Sequence, residues 1–199
     1  MIKQAVTPKD ILSLAIATLT ELVGVYLWVY FVDNQNQFLG IVILMIGLLA
    51  ERISVVMAAR DAYGEHPLPK NFYAFVVSSA FGEGLVWIVW LMIWDAIPGL
   101  GGMAVATVAM FVMQLIAHSW QLSFVLGKPP LYRYTTDGLT IVFSAFEALG
   151  TLGWLFLFRS GQPVWSGVAL LVGLLLEHIV QGLAVQKAMP PNFSLAPEK

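Results

Sequence analysis

Six positions place an ionisable side chain inside otherwise apolar sequence: Glu21, Glu51, Glu83, His118, Glu147 and Glu177, with His178 next to the last. Carboxylate oxygens and imidazole nitrogens together suit iron, manganese or zinc. Cu(I) prefers sulfur, and two histidines argue against Ca2+ or Mg2+, which take oxygen ligands. The chain has Cys 0, which removes thiolate zinc sites, iron–sulfur clusters and cysteine nucleophiles from consideration. The same residues offer acid–base chemistry, and Glu21, Glu83 and Glu147 are the carboxyls that recur at one position of a repeated pattern.

The elements that must position these groups follow from composition. Of the 199 residues, 59% are apolar and only 11% are charged, against about 45–50% and about 25% in soluble domains. Such a chain is neither a soluble globular enzyme nor a disordered segment. A net charge of −2 supplies no basic field for a polyanion, so nucleic acid is excluded as a partner. Crossing a hydrocarbon core takes roughly 20 apolar residues, and six such windows occur, at approximately 11–32, 38–59, 72–94, 100–126, 139–158 and 164–186. The first follows Met1 to Asp10 directly, is longer than a signal-peptide core and carries Glu21 at its centre, so it reads as a retained span. The fold expected is an all-α integral membrane protein: six transmembrane helices forming three parallel, pseudo-repeated hairpins around a polar midplane site, in one domain. The repeats run at about 11–60, 72–126 and 139–186, with a tail over 187–199.

Orientation is read from Lys and Arg near the span ends. Lys3, Lys9, Arg60, Lys70, Lys128, Arg133, Lys187 and Lys199 fall on the side of both termini, and Arg159 alone falls opposite. The positive-inside rule then makes both termini cytoplasmic, in a cell or inner membrane. Trp28, Trp90, Trp94, Trp154 and Trp165 are expected at the outer interface, where an amphipathic ring is well accommodated.

The repeat rests on matched positions. Even helices read Gly47-Leu48-Leu49-Ala50-Glu51-Arg52-Ile53, Gln114-Leu115-Ile116-Ala117-His118-Ser119-Trp120 and Gly173-Leu174-Leu175-Leu176-Glu177-His178-Ile179. Odd helices carry Glu21, Glu83 and Glu147, each followed seven residues later by Trp28, Trp90 and Trp154. Apolar alphabets are small and Leu-rich matches alone mean little, but this Glu-to-Trp offset is hard to obtain by accident. The three units share one topology, unlike the inverted repeats of many alternating-access transporters.

Depth decides what the layer can be. At 1.5 Å per residue the six acids and histidines lie near the bilayer centre. Facing lipid, five carboxyls would cost over about 12 kcal/mol, comparable to a whole folding free energy of about 5–15 kcal/mol. They must face inward. Once there, five like charges in low dielectric take up protons or a cation, because Arg52, His118 and His178 supply too little positive charge. His178 points about 100° away from Glu177 and is expected to reach a different helix. His66 reads as a loop residue.

Polar residues on the faces of the site are concentrated on one side. Thr18, Ser54, Ser79, Gln121, Ser144 and Gln181 lie cytoplasmic of the layer, whereas the outward positions, Gly24, Gly47, Val86, Trp87, Gly150 and Gly173 among them, are polar only at Gln114 and Thr151. A channel needs polar lining on both sides, whereas an embedded enzyme needs one aqueous entrance and lateral access for a lipophilic substrate. The leading expectation is therefore a membrane metalloenzyme acting on a hydrophobic small molecule. Its Fe, Mn or Zn would be held among Glu21, Glu51, Glu83, His118, Glu147, Glu177 and His178, with Gln114 or His178 as an outer partner, to activate water or oxygen. The ligand inventory is similar in kind to that of soluble di-iron and di-manganese helix bundles, although the Glu-x-x-His spacing is missing. The alternative is a divalent-metal or proton-coupled cation transporter using the same residues. Third is a metal-free isomerase or cyclase whose glutamates protonate a lipid-like substrate. A b-type haem between His118 and His178 ranks lower, because a ring of glutamates around a porphyrin is poorly explained.

Overall fold

The computed structural model describes residues 8–63, 72–125 and 138–188, and the regular structure of these residues is entirely helical. The helices are α1 (Pro8–Asp33), α2 (Gln37–Tyr63), α3 (Phe72–Ala96), α4 (Gly99–Val125), α5 (Gly138–Arg159) and α6 (Pro163–Ala188). All six are long and apolar enough to cross a membrane, and each coincides with one window read from hydropathy. His66, Lys3, Lys70, Lys128, Arg133, Lys199 and most of the tail over 187–199 lie outside the described residues.

Three short connections pair the helices, and their chemistry explains the tight turns. After α1, Gln35 takes the left-handed conformation (φ 63°), and Asn36 N–H bonds back to Phe31 O at 2.8 Å. After α5, Gly161 takes it (φ 74°), and Gln162 N–H bonds back to Leu157 O at 2.9 Å. Both are Schellman closures, which satisfy the last carbonyls of a helix. Asn36 also accepts from Leu39 N–H at 3.4 Å, capping α2. At this same end Arg159 pairs with Asp95 at 2.6 Å and with Asp33 at 3.6 Å, so the last residues of α1, α3 and α5 are linked by one guanidinium.

Packing follows chain order. Each helix contacts its sequence neighbours, and α1 also contacts α6, which closes the six into a ring. The tightest pairs are α1 with α2 and α5 with α6. Glycine sets both: a Cβ placed on Gly24 would lie 2.9 Å from the Gly47 Cα, and one on Gly150 would lie 2.6 Å from the Gly173 Cα. Backbones that meet this closely leave no room for a side chain. Gly173→Val is therefore expected to destabilise the protein by about 1–3 kcal/mol through forced separation of α5 and α6, read as thermal unfolding in detergent. Gly82→Ala, where a Cβ meets nothing within 4 Å, is the control, with no loss expected.

The ring's interior divides into two layers. On the side of the short connections the core is aromatic: Trp28, Trp87, Trp90 and Trp154 are all at most 2% exposed. Trp87 stands edge-on to the other three, at centroid distances of 6.4, 5.9 and 6.4 Å, and Trp90 stacks on Trp154 at 6.2 Å. Trp28, Trp90 and Trp154 thus point into the ring and do not present themselves on its outer surface. Of the tryptophans expected at the outer interface, only Trp94 and Trp165 keep exposed surface. Seven residues is nearly two helical turns, so a Trp seven positions after an inward Glu points inward as well.

Candidate metal centre

Beneath the tryptophans lies the polar layer, and every residue expected in it is there. Glu21, Glu51, Glu83, His118, Glu147, Glu177 and His178 are all at most 3% exposed, contributed by α1, α2, α3, α4, α5, α6 and α6 respectively. Each helix is apolar on both sides of its ionisable residue, so the only polar surroundings open to the side chain are inside the ring.

Two subsets with different partners share this layer. The first is an ion-pair network around Arg52 of α2. Its Nε lies 3.1 Å from Glu51 Oε2, its Nη2 contacts Glu83 of α3, and its Nη1 donates to Gln121 Oε1 of α4 at 3.1 Å. Arg52 was legible only as a nearby cation; its long side chain lets it bridge three helices although it sits about 100° from Glu51 on its own. The second subset holds the histidines. His118 Nε2 lies 3.4 Å from Glu147 Oε2 and 3.6 Å from Glu177 Oε1, while its Nδ1 is 3.0 Å from Ser144 Oγ. His178 Nε2 lies 3.3 Å from Glu51 Oε1 and 3.8 Å from Glu21 Oε2, with its Nδ1 3.1 Å from Thr18 Oγ1. His178 does reach α1 and α2, as its phase on α6 implies. Gln114 donates to Glu147.

Of the six polar residues expected on one side of the layer, Thr18, Gln121 and Ser144 bond the site, whereas Ser54 and Ser79 bond their own helices, to Ala50 O at 2.8 Å and Val76 O at 3.1 Å. Gln181 is buried.

Three groups among the described residues bring ligand atoms within 4.8 Å of one another and could hold a metal ion: Glu21, Glu177 and His178; His118, Glu147 and Glu177; and Glu21, Glu83 and Glu147. The groups interlock, because Glu21, Glu147 and Glu177 each belong to two of them. Glu51 lies outside all three. Metal–ligand bonds of about 2.0–2.2 Å put two ligands of one ion at most about 4.4 Å apart, which the His118–Glu147 and His118–Glu177 spacings of 3.4 and 3.6 Å satisfy. His118 Nε2 and Glu147 Oε2 are also fully buried and face each other as an ion pair without a hydrogen bond. No family model matches the chain, and no curated protein or solved structure is detectably similar to it, so the site's own chemistry carries the functional argument.

Proposed function

We propose that the protein is an integral membrane metalloenzyme with a carboxylate-bridged pair of Fe, Mn or Zn ions near the bilayer midplane, acting on a hydrophobic substrate. The observation that carries this reading is the convergence, within 4.8 Å, of buried carboxylate and imidazole ligand atoms in two groups that each contain one histidine and share Glu177. One ion would be held by His118, Glu147 and Glu177 and the other by Glu21, Glu177 and His178, so each would have one imidazole, with Glu177 common to both. Charge supports the stoichiometry. Two divalent ions together with Arg52 balance the five buried carboxylates, whereas one ion leaves net negative charge in low dielectric. Glu83, held by Arg52 and next to Glu21 and Glu147, is the carboxyl placed to exchange a proton with substrate. A bound metal would supply Lewis acidity, or redox capacity if iron or manganese.

The membrane frame belongs to the same proposal: both termini cytoplasmic, and three parallel hairpin repeats. The repeat is supported by the matching Schellman closures after α1 and α5 and by the matching glycine contacts of α1–α2 and α5–α6. An enzyme is favoured over a carrier by the tryptophan layer, which packs the ring on one side of the site and leaves Gln114, Thr151 and Ser166 as the buried polar side chains there among the described residues. The test is elemental analysis of the purified chain. About two equivalents of one transition metal are expected, as in two-metal centres; metal-free protein that is folded sinks the reading and favours metal-free acid–base chemistry. Counterflow of that metal into proteoliposomes would favour transport instead.

A further inference from the structure

The three hairpins are not equally tight. Where α1–α2 and α5–α6 have glycine facing glycine, the corresponding residues of α3 and α4 are Val86 and Gln114, and Gln114 is engaged by Glu147 of α5. Between α3 and α4 a cleft of about 420 Å³ opens instead. It is lined from Ser78 to Val86 on α3 and from Met113 to Gln121 on α4, a length of about 12 Å at the helical rise. Its walls are mostly apolar, and it reaches the outside of the ring at Ile116 (52% exposed) and Trp120 (38% exposed). Its polar end is different in kind. Glu83 and Gln121 line it there, both buried and both joined to Arg52. A Cβ on Gly82 meets nothing within 4 Å, so the space next to Glu83 is open.

We infer that this cleft is a lateral binding site for an uncharged single-chain amphiphile with a hydroxyl head, a long-chain or isoprenoid alcohol. The volume falls within the roughly 300–1,000 Å³ of small-molecule sites, and the apolar walls meeting the outer apolar surface admit a chain directly from a lipid phase. The polar end selects the head. A hydroxyl donates to the Glu83 carboxylate and accepts from the Gln121 amide, whose oxygen is already taken by Arg52. A carboxylate head would meet Glu83 as a like charge, and an ammonium head would compete with Arg52 for it. A plain hydrocarbon would satisfy neither the Gln121 amide N–H nor the hydrogen-bonding capacity that Glu83 has beyond its Arg52 contact. Glu83 also belongs to the group with Glu21 and Glu147, each of which would hold one of the proposed metals, so a hydroxyl on Glu83 would be one carboxylate away from them. In that respect the inference rests on the metalloenzyme reading and gives its substrate a chemical class.

The experiment is photolabelling of the full chain in lipid nanodiscs with a dodecanol that carries a diazirine near the hydroxyl, with adducts mapped by mass spectrometry. Adducts are expected on residues 78–86 and 113–121, displaced by excess dodecanol and not by dodecane. Gly82→Phe is expected to reduce them at least about tenfold, a loss of about 1.4 kcal/mol in binding, and Ala117→Phe, from the opposite wall, to do the same. Even labelling of all six helices, equal competition by dodecane, or undiminished labelling in both variants overturns the inference. Labelling is repeated after chelation, where the cleft pattern is expected to persist. Cleft labelling of a protein that holds no metal removes the metal reading alone, and even labelling of a metal-loaded protein removes this one alone.

Discussion

Replacing Glu177 with glutamine is expected to empty the centre, weakening metal binding by more than the about 10–100-fold typical of losing an outer partner. Glu177 is the one residue common to both histidine-containing groups, and a neutral amide can neither bridge two cations nor offset their charge. The companion variants give the pattern its discriminating power. His178→Ala removes a ligand of one group only, so about one of two equivalents is expected to remain. Glu51→Gln is expected to keep both, because Glu51 lies outside the three groups and is held by Arg52 and His178. Elemental analysis of the three variants beside the wild type reads this directly. Equal metal loss in Glu51→Gln and Glu177→Gln would mean that the carboxylates act as an undifferentiated pool, and the bridged arrangement would be wrong.

Arg52→Met is expected to cost about 3–5 kcal/mol of stability, the range for removing one partner of a buried ion pair. Arg52 is 5% exposed and is the guanidinium shared by Glu51 and Glu83, so its loss leaves two buried carboxylates without their counter-charge. The double variant Arg52→Met, Glu83→Gln is expected to recover a large part of the loss, because it removes one stranded charge as well. Unfolding in detergent, followed by circular dichroism, measures both. If the single and double variants are equally destabilised, Arg52 contributes by filling space and not by charge.

Six apolar windows separated by short polar breaks were enough to locate the helices, since a span of that length has few other ways to satisfy its backbone. Apolar context also exposed the site: Glu21 or Glu147 would be unremarkable on a soluble helix and is an outlier here. The inward direction of the tryptophans was missed because ring amphipathicity was weighed above helical phase, although the seven-residue offset from each glutamate already carried it. Arg52 was harder to read. Its partners Glu83 and Gln121 sit on α3 and α4, and which neighbours a long side chain reaches depends on helix rotation, which hydropathy does not encode. The α3–α4 cleft was visible in sequence only as a missing pair of glycines, and a missing contact acquires meaning once the two present ones are seen to touch. Closure of α1 against α6 has no local signal at all.

That closure governs when the site can come into existence. Glu21 sits on the first helix, Glu177 and His178 on the last, and the contact between α1 and α6 completes the ring. During synthesis the first five helices emerge with Glu21 and Glu147 still lacking the residue that bridges their groups. A chain stalled or truncated before α6 therefore has His66 and His118 but neither Glu177 nor His178, and is left with carboxylates that must be accommodated by water or protons until the last helix arrives. The proposed metal centre would in this way form only at the end of assembly.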